Sequence, residues 1–170
     1  MFTLTALPQS ASKQDLYASL AQQLTGLLHG EPDAIANAAN MSALLYDLLP
    51  DLNWAGFYFM RGPGLVLGPF QGKVACVRIP VGRGVCGTAV ERRGSVLVPD
   101  VHAFPGHIAC DSASRSELVV PLIKDGKVFG VLDLDSPHPE RFDEEDRAGC
   151  EQLVRIYLDA SDMAEGFSGV

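Results

Sequence analysis

The sequence predicts an α+β fold: a mostly antiparallel β-sheet with helices packed on it. Three observations carry this reading. Two helical segments precede any strand. The strand-like segments that follow show none of the regular βαβ alternation that builds a parallel sheet. The run ELVVPLIKDGKVFGVLDLDS (117–136) reads as two strands joined through Asp125 and Gly126, the dipeptide of a tight hairpin. With 170 residues, 47 % of them hydrophobic and 20 % charged, the chain fits one domain over 1–170 with its own core.

In order along the chain, Leu16, Leu20, Leu24 and Leu27 recur at helical spacing from Lys13 to His29, with Gly30 as the stop. Asp33 caps a second helix carrying Ile35, Ala38, Leu44, Leu45 and Leu48, which Pro50 ends, so the leading helices occupy about 13–49. The sheet is expected over about 53–136. WAGFYFM (54–60) is aromatic-rich, and RGPG turns it into LVLGPF. VACVRIPV (74–81) alternates, which predicts a strand with Val74, Cys76, Arg78 and Pro80 on one face. GRGVCGTAVER (82–92) reads as a glycine-rich loop entering a short helix, and SVLVPD as a further short strand. Asp143, with Asp146 three residues on, starts a closing helix over about 143–160.

A net charge of −8 argues against nucleic-acid binding, which needs a basic face. No apolar run approaches the roughly 18 residues of a membrane span. The first fifteen residues lack a basic stretch ahead of an apolar one, so no secretory leader is expected and the cytoplasm is the expected compartment. There thiols stay reduced, and the four cysteines are packing residues, metal ligands or redox groups.

Cys150 sits among Asp146, Leu153, Val154 and Tyr157 on the closing helix and reads as a packing residue. Cys76, Cys86 and Cys110 differ, Cys110 lying in the polar stretch GHIACDSASRSE. Three thiolates and His107 could make a zinc site, but no pair has the close Cys-x₂₋₄-Cys interval of zinc fingers and ribbons. Accessible cysteines without that spacing point to redox chemistry, so no metal and no cofactor is expected. His102 and His107 flank the Cys110 stretch and receive no role.

The motifs KVACVRIP, GRGVCGTA, HIACDSAS and GVLDLDS occur in that order, and through them the chain resembles the free methionine-R-sulfoxide reductases of the GAF family. The resemblance runs from Asn53 to the closing helix and implies a single GAF-like domain that reduces free L-methionine (R)-S-oxide to methionine. Thiol reduction of a sulfoxide needs a nucleophilic cysteine, an acid near the oxygen, and a thiol that resolves the sulfenic acid. By resemblance Cys110 is the nucleophile, Cys76 the main resolving residue, and Cys86 a second candidate for an alternative disulfide. Thioredoxin is then the reductant, and a homodimer is possible.

Asp133 and Asp135 alternate with leucines, so both carboxylates leave the same face of one strand, and Glu117 heads the preceding one. On its own this pattern also describes the solvated face of an antiparallel strand. Beside the cysteines it is expected to form a substrate site, with one carboxyl kept protonated by its neighbours and the others pairing with the ammonium of a free amino acid. Trp54 and Tyr58, four apart on a strand face, are expected to wall the apolar side of the pocket, although core packing would explain either aromatic. The first amides of the helix in GRGVCGTA are expected to take the substrate carboxylate. Two other readings use part of this set: a regulatory GAF module binding a small ligand or cyclic nucleotide, which needs no cysteines, and a thiol redox sensor, which needs no carboxylates.

Overall fold

Hydrogen bonds close the helix starts, at Asp33 and Asp143 as the sequence predicts and also at Ser12. In the computed structural model, which describes residues 3–8, 10–106 and 112–163, Ser12 accepts from the amide of Asp15 to start α1, Lys13–Leu27. Asp33 accepts from the amides of Ile35 and Ala36 to start α2, Ala34–Leu48. Asp143 and Asp146 form a reciprocal capping box at the head of the closing helix, Glu144–Ala160. No helix among the described residues is long and apolar enough to cross a membrane.

Between these helices lie β1 (Trp54–Arg61), β2 (Gly64–Gly72), β3 (Arg78–Pro80), a nine-residue helix α3 (Gly84–Arg92), β4 (Val96–Val98), β5 (Ser116–Lys124) and β6 (Lys127–Ser136). The closing helix is therefore α4. The strands form one antiparallel sheet in the order β3-β2-β1-β6-β5-β4. The predicted β5–β6 hairpin is part of it, with β6 lying beside β1 at its centre. Asp125 and Gly126 both have positive φ, 50° and 75°, as a two-residue turn of the hairpin type requires.

The predicted strand over 74–81 is corrected by the structure. Only Arg78–Pro80 pairs with β2, and Val74 to Val77 form an irregular segment ahead of it. The apparent alternation arose from valines that face solvent, while Ile79 alone of the paired residues is buried.

Period-two alternation gives the sheet two apolar faces. Ala55, Phe57, Phe59, Leu118, Val120, Leu122, Leu132 and Leu134 pack against α1, α2 and α4, together with Leu20, Leu24, Leu44, Leu45 and Leu153. Each fully buried leucine contributes about 1.5–3 kcal/mol. The opposite face carries Trp54, Tyr58, Val119 and Val131 and is covered by α3 through Val85, Cys86, Ala89 and Val90. The site forms on this second face.

Candidate active site

Register decides which side chains meet. Asp135 pairs with Trp54 on one side and Glu117 on the other, and Asp133 pairs with Gly56 and Val119. Directly paired residues point to the same face. Trp54, Tyr58, Glu117, Asp133 and Asp135 therefore all leave the face that α3 covers, as the alternation of the sequence predicts. They are not solvated. Glu117 and Asp133 are each only 6 % exposed, and Asp135 is half-buried.

Cys86 enters from above, as the third residue of α3. Its sulfur and a carboxylate oxygen from each of Glu117 and Asp133 all lie within 4.8 Å of one another. Burial pushes the Glu117 carboxyl well above the usual carboxylate range, the Asp135 charge adds to this, and a hydrogen bond with Asp133 partly offsets it. Asp133 is raised in the same way, by burial first and by Glu117 second. Burial and then the Asp133 and Glu117 charges also raise the Cys86 thiol, which is hydrogen-bonded to Asp133. The cluster is thus built to hold protons. One acceptor in it is left over: Asp133 Oδ1 is buried and has no hydrogen-bond partner among the described residues. An unpaired buried acceptor costs about 1–3 kcal/mol, so this position is maintained at a cost to the fold.

By donor type and distance the same three residues are the group that could hold a metal ion among those described. The zinc set weighed from the sequence is differently composed. Cys76 is engaged in a disulfide, so its sulfur is not a thiolate, and His107 lies outside the described residues.

Cys86 and Cys150 are free thiols. Cys110 also lies outside the described residues. Cys150 is fully buried, as its helical setting predicts, with its sulfur 3.7 Å from the Tyr17 hydroxyl. Burial, with smaller contributions from neighbours, pushes its thiol up to about 12.

Trp54 and Tyr58 have a part in the site that the sequence reading missed. Their rings stack at 5.8 Å, and both are almost wholly buried. Their polar tips reach the segment that carries Cys76. Trp54 Nε1 donates to the Lys73 carbonyl at 3.1 Å, and the Tyr58 hydroxyl donates to the Cys76 carbonyl at 3.0 Å. Burial, and then the charge of Asp133, keep that hydroxyl protonated. The signal in the sequence was the choice of tryptophan and tyrosine, whose polar atoms need partners when buried. Asn53 was also missed. Its amide donates to the Asp135 carbonyl at 3.0 Å, and its Nδ2 donates to Ser114 Oγ at 3.0 Å, tying β1 to the segment ahead of β5.

At the N-terminus of α3, Arg83 at the cap makes no side-chain capping bond. The first amides of a helix have no acceptor inside it. His102 is exposed.

Comparison with known proteins shows the family of the chain. Residues 38–160 match the family model described as GAF domain. A free methionine-R-sulfoxide reductase of Escherichia coli (strain K12) is 56 % identical over 143 residues, 84 % of this chain and 87 % of that protein. Another of that name, from Saccharomyces cerevisiae, is 43 % identical over 153 residues, 85 % of each chain. The X-ray structure of free methionine-R-sulfoxide reductase from Neisseria meningitidis in complex with its substrate superimposes with a TM-score of 0.87 at 44 % identity. The match covers 93 % of this chain and 95 % of that one.

Proposed function

This chain belongs to the GAF family, among the free methionine-R-sulfoxide reductases, and from that premise we propose that it reduces the R epimer of free methionine sulfoxide to methionine. The observation that carries the reading is the buried, proton-holding pair Glu117 and Asp133 with its unpaired acceptor, Asp133 Oδ1. A ligand bearing an ammonium group supplies the missing donor, and a sulfoxide oxygen takes the proton.

In this scheme the Cys110 thiolate attacks the sulfoxide sulfur. The oxygen is protonated by a carboxyl of the cluster and ends on Cys110 as a sulfenic acid, while methionine leaves. The Cys76 thiol then attacks that sulfenic sulfur, expelling water and forming a disulfide. Two electrons and two protons from a dithiol, here assigned to thioredoxin in a reducing cytoplasm, restore both thiols. The reading is supported by the pairing state of the described cysteines: Cys76 is in a disulfide, while Cys86 and Cys150 are free. It gives Cys86 a lesser part. A buried thiol held protonated by two acids is a poor nucleophile, so Cys86 serves as a proton-holding neighbour of Asp133 rather than as the first resolving residue. Trp54 and Tyr58 position the Cys76 segment, and Asp135 adds negative charge for the ammonium.

The test is incubation of reduced protein with racemic free methionine sulfoxide. One epimer is expected to be consumed, to about one methionine per chain without added reductant, and none by Cys110→Ser. With reductant, kcat/KM for the N-acetylated sulfoxide should be about ten- to a hundredfold lower than for the free one, since a charge-assisted contact is worth roughly 1.5–3 kcal/mol. Equal values would show that the acids do not read the ammonium. Consumption of neither epimer would leave a ligand-binding module.

A further inference from the structure

The segment before β3 exposes side chains that ordinarily hide. Val74 is 87 % exposed and Val77 62 %, and Val81 just beyond β3 is 38 % exposed. Three of the five large hydrophobic residues that are exposed among the described residues thus fall within eight positions of one another. They bracket Cys76, which is half-buried and held in a disulfide.

This segment is held in place from within. Trp54 Nε1 holds the Lys73 carbonyl at 3.1 Å, the Tyr58 hydroxyl holds the Cys76 carbonyl at 3.0 Å, and the Leu67 amide holds the Val77 carbonyl at 3.0 Å. Ala75 packs inward against the core of the α3 face. With its carbonyls tethered and Ala75 turned in, the segment presents Val74 and Val77 outward as fixed features. Exposed apolar groups on a rigid platform gain free energy when a partner covers them. Lys73 and Arg78, both exposed, flank them with positive charge on a chain whose net charge is −8.

We propose that Val74, Val77 and Val81 around Cys76, flanked by Lys73 and Arg78, form the docking surface for the protein that reduces the Cys76 disulfide. The partner that fits is a small dithiol protein with an apolar, acid-flanked face around its attacking cysteine. The choice of occupant follows from the chemistry at the centre of the patch. A disulfide opens only when an external thiolate attacks one of its sulfurs. That attack forms a mixed disulfide, which the partner's second thiol then displaces. The partner's dithiol becomes a disulfide, and this chain regains two thiols. A small thiol reagent needs only access to a sulfur, whereas a protein needs a surface.

The inference rests on the proposed reductase cycle, and the experiment separates the two. Turnover of free methionine sulfoxide is measured for the wild type and for the Val74→Asp, Val77→Asp double variant, once with dithiothreitol and once with thioredoxin, thioredoxin reductase and NADPH. The expected result is a KM for thioredoxin raised at least about tenfold, as for loss of central interface contacts, with dithiothreitol-driven turnover unchanged within about twofold. Arg78→Glu should raise the same KM, and the rise should be smaller at high salt. Equal losses with both reductants would place the valines in the chemistry and overturn the docking surface, as would no loss with either. A wild-type dimer that the double variant dissociates, seen by sedimentation, would assign the patch to a second copy instead. No turnover by the wild type with dithiothreitol would sink the reductase reading itself, and the docking proposal with it.

Discussion

Replacing Asp133 by Asn should make the protein more stable and less active, and the size of the gain should depend on pH. The carboxyl is 6 % exposed and is raised by burial first and by the Glu117 charge second. In the unfolded chain it titrates near 3.9. A group whose pKa is raised by folding contributes its stability fully below the unfolded value, and that contribution is lost as pH rises through the folded value. Glu117 has the same sign. Asp143 has the opposite one: burial opposes ionisation, but its hydrogen bond from Lys13 prevails and holds it at about 2. Its contribution is present above the ordinary carboxylate range and is already constant by pH 5. Stability lost between pH 5 and pH 8 is thus expected to come from the site.

Asn keeps the size of Asp133 and cannot ionise. Relieving a destabilised site residue in this way typically yields about 0.5–2 kcal/mol. For a domain of this length that raises Tm by about 1–8 °C at pH 8, with the gain shrinking at pH 5, where the native carboxyl stays protonated. Activity should move the other way. Losing one charge-assisted contact to the ammonium, roughly 1.5–3 kcal/mol, lowers kcat/KM by about 10- to 150-fold. Thermal melts of both proteins at pH 5 and pH 8, with kinetics on free methionine sulfoxide, check the two halves together. A Tm at pH 8 that falls in Asp133→Asn, or a gain equal at both pH values, would refute the reasoning.

Two further substitutions separate scaffold from site. Cys150→Ala should keep full activity per folded chain and lower Tm by a few degrees, because the thiol is buried, inert and lies against the Tyr17 hydroxyl in the helical core; a loss of activity in single-turnover assays would reopen the sorting of the cysteines. Asp146→Asn should cost about 3–5 kcal/mol, since it leaves charges that were paired across a buried carboxylate: Lys13 Nζ at 2.5 Å and Arg141 at 3.2 Å, with the Tyr17 hydroxyl donating at 2.9 Å. The loss is read as a lowered melting temperature, with kcat of the folded fraction unchanged.

The features legible in the sequence were those whose causes lie within a few residues. Asp33 and the Asp143–Asp146 pair cap helices because each side chain reaches amides two or three positions on. Asp125 and Gly126 turn a hairpin because both tolerate positive φ. The segment around Cys76 was misread as strand for the converse reason. What holds it is Trp54 and Tyr58, some twenty residues away, and no periodicity records a tyrosine hydroxyl meeting a distant carbonyl.

The site lies between these cases. Alternation alone placed Asp133 and Asp135 on one face, and antiparallel pairing across the hairpin brought Glu117 opposite Asp135. What alternation cannot state is whether that face is wet, and the whole chemistry turns on this. A solvated carboxylate pair would ionise and bind nothing in particular. Here α3 lies over the sheet and buries Glu117 and Asp133 beneath Cys86. The helix packs against the segment that leads into it because Gly87 stands where any side chain would collide with the Pro80 carbonyl oxygen, and Gly82 and Gly84 adopt positive φ on the way in. The glycines of GRGVCGTA therefore do more than shape a loop. They let α3 fold back closely against the end of β3, and the helix so placed turns a polar strand face into a cluster that holds protons.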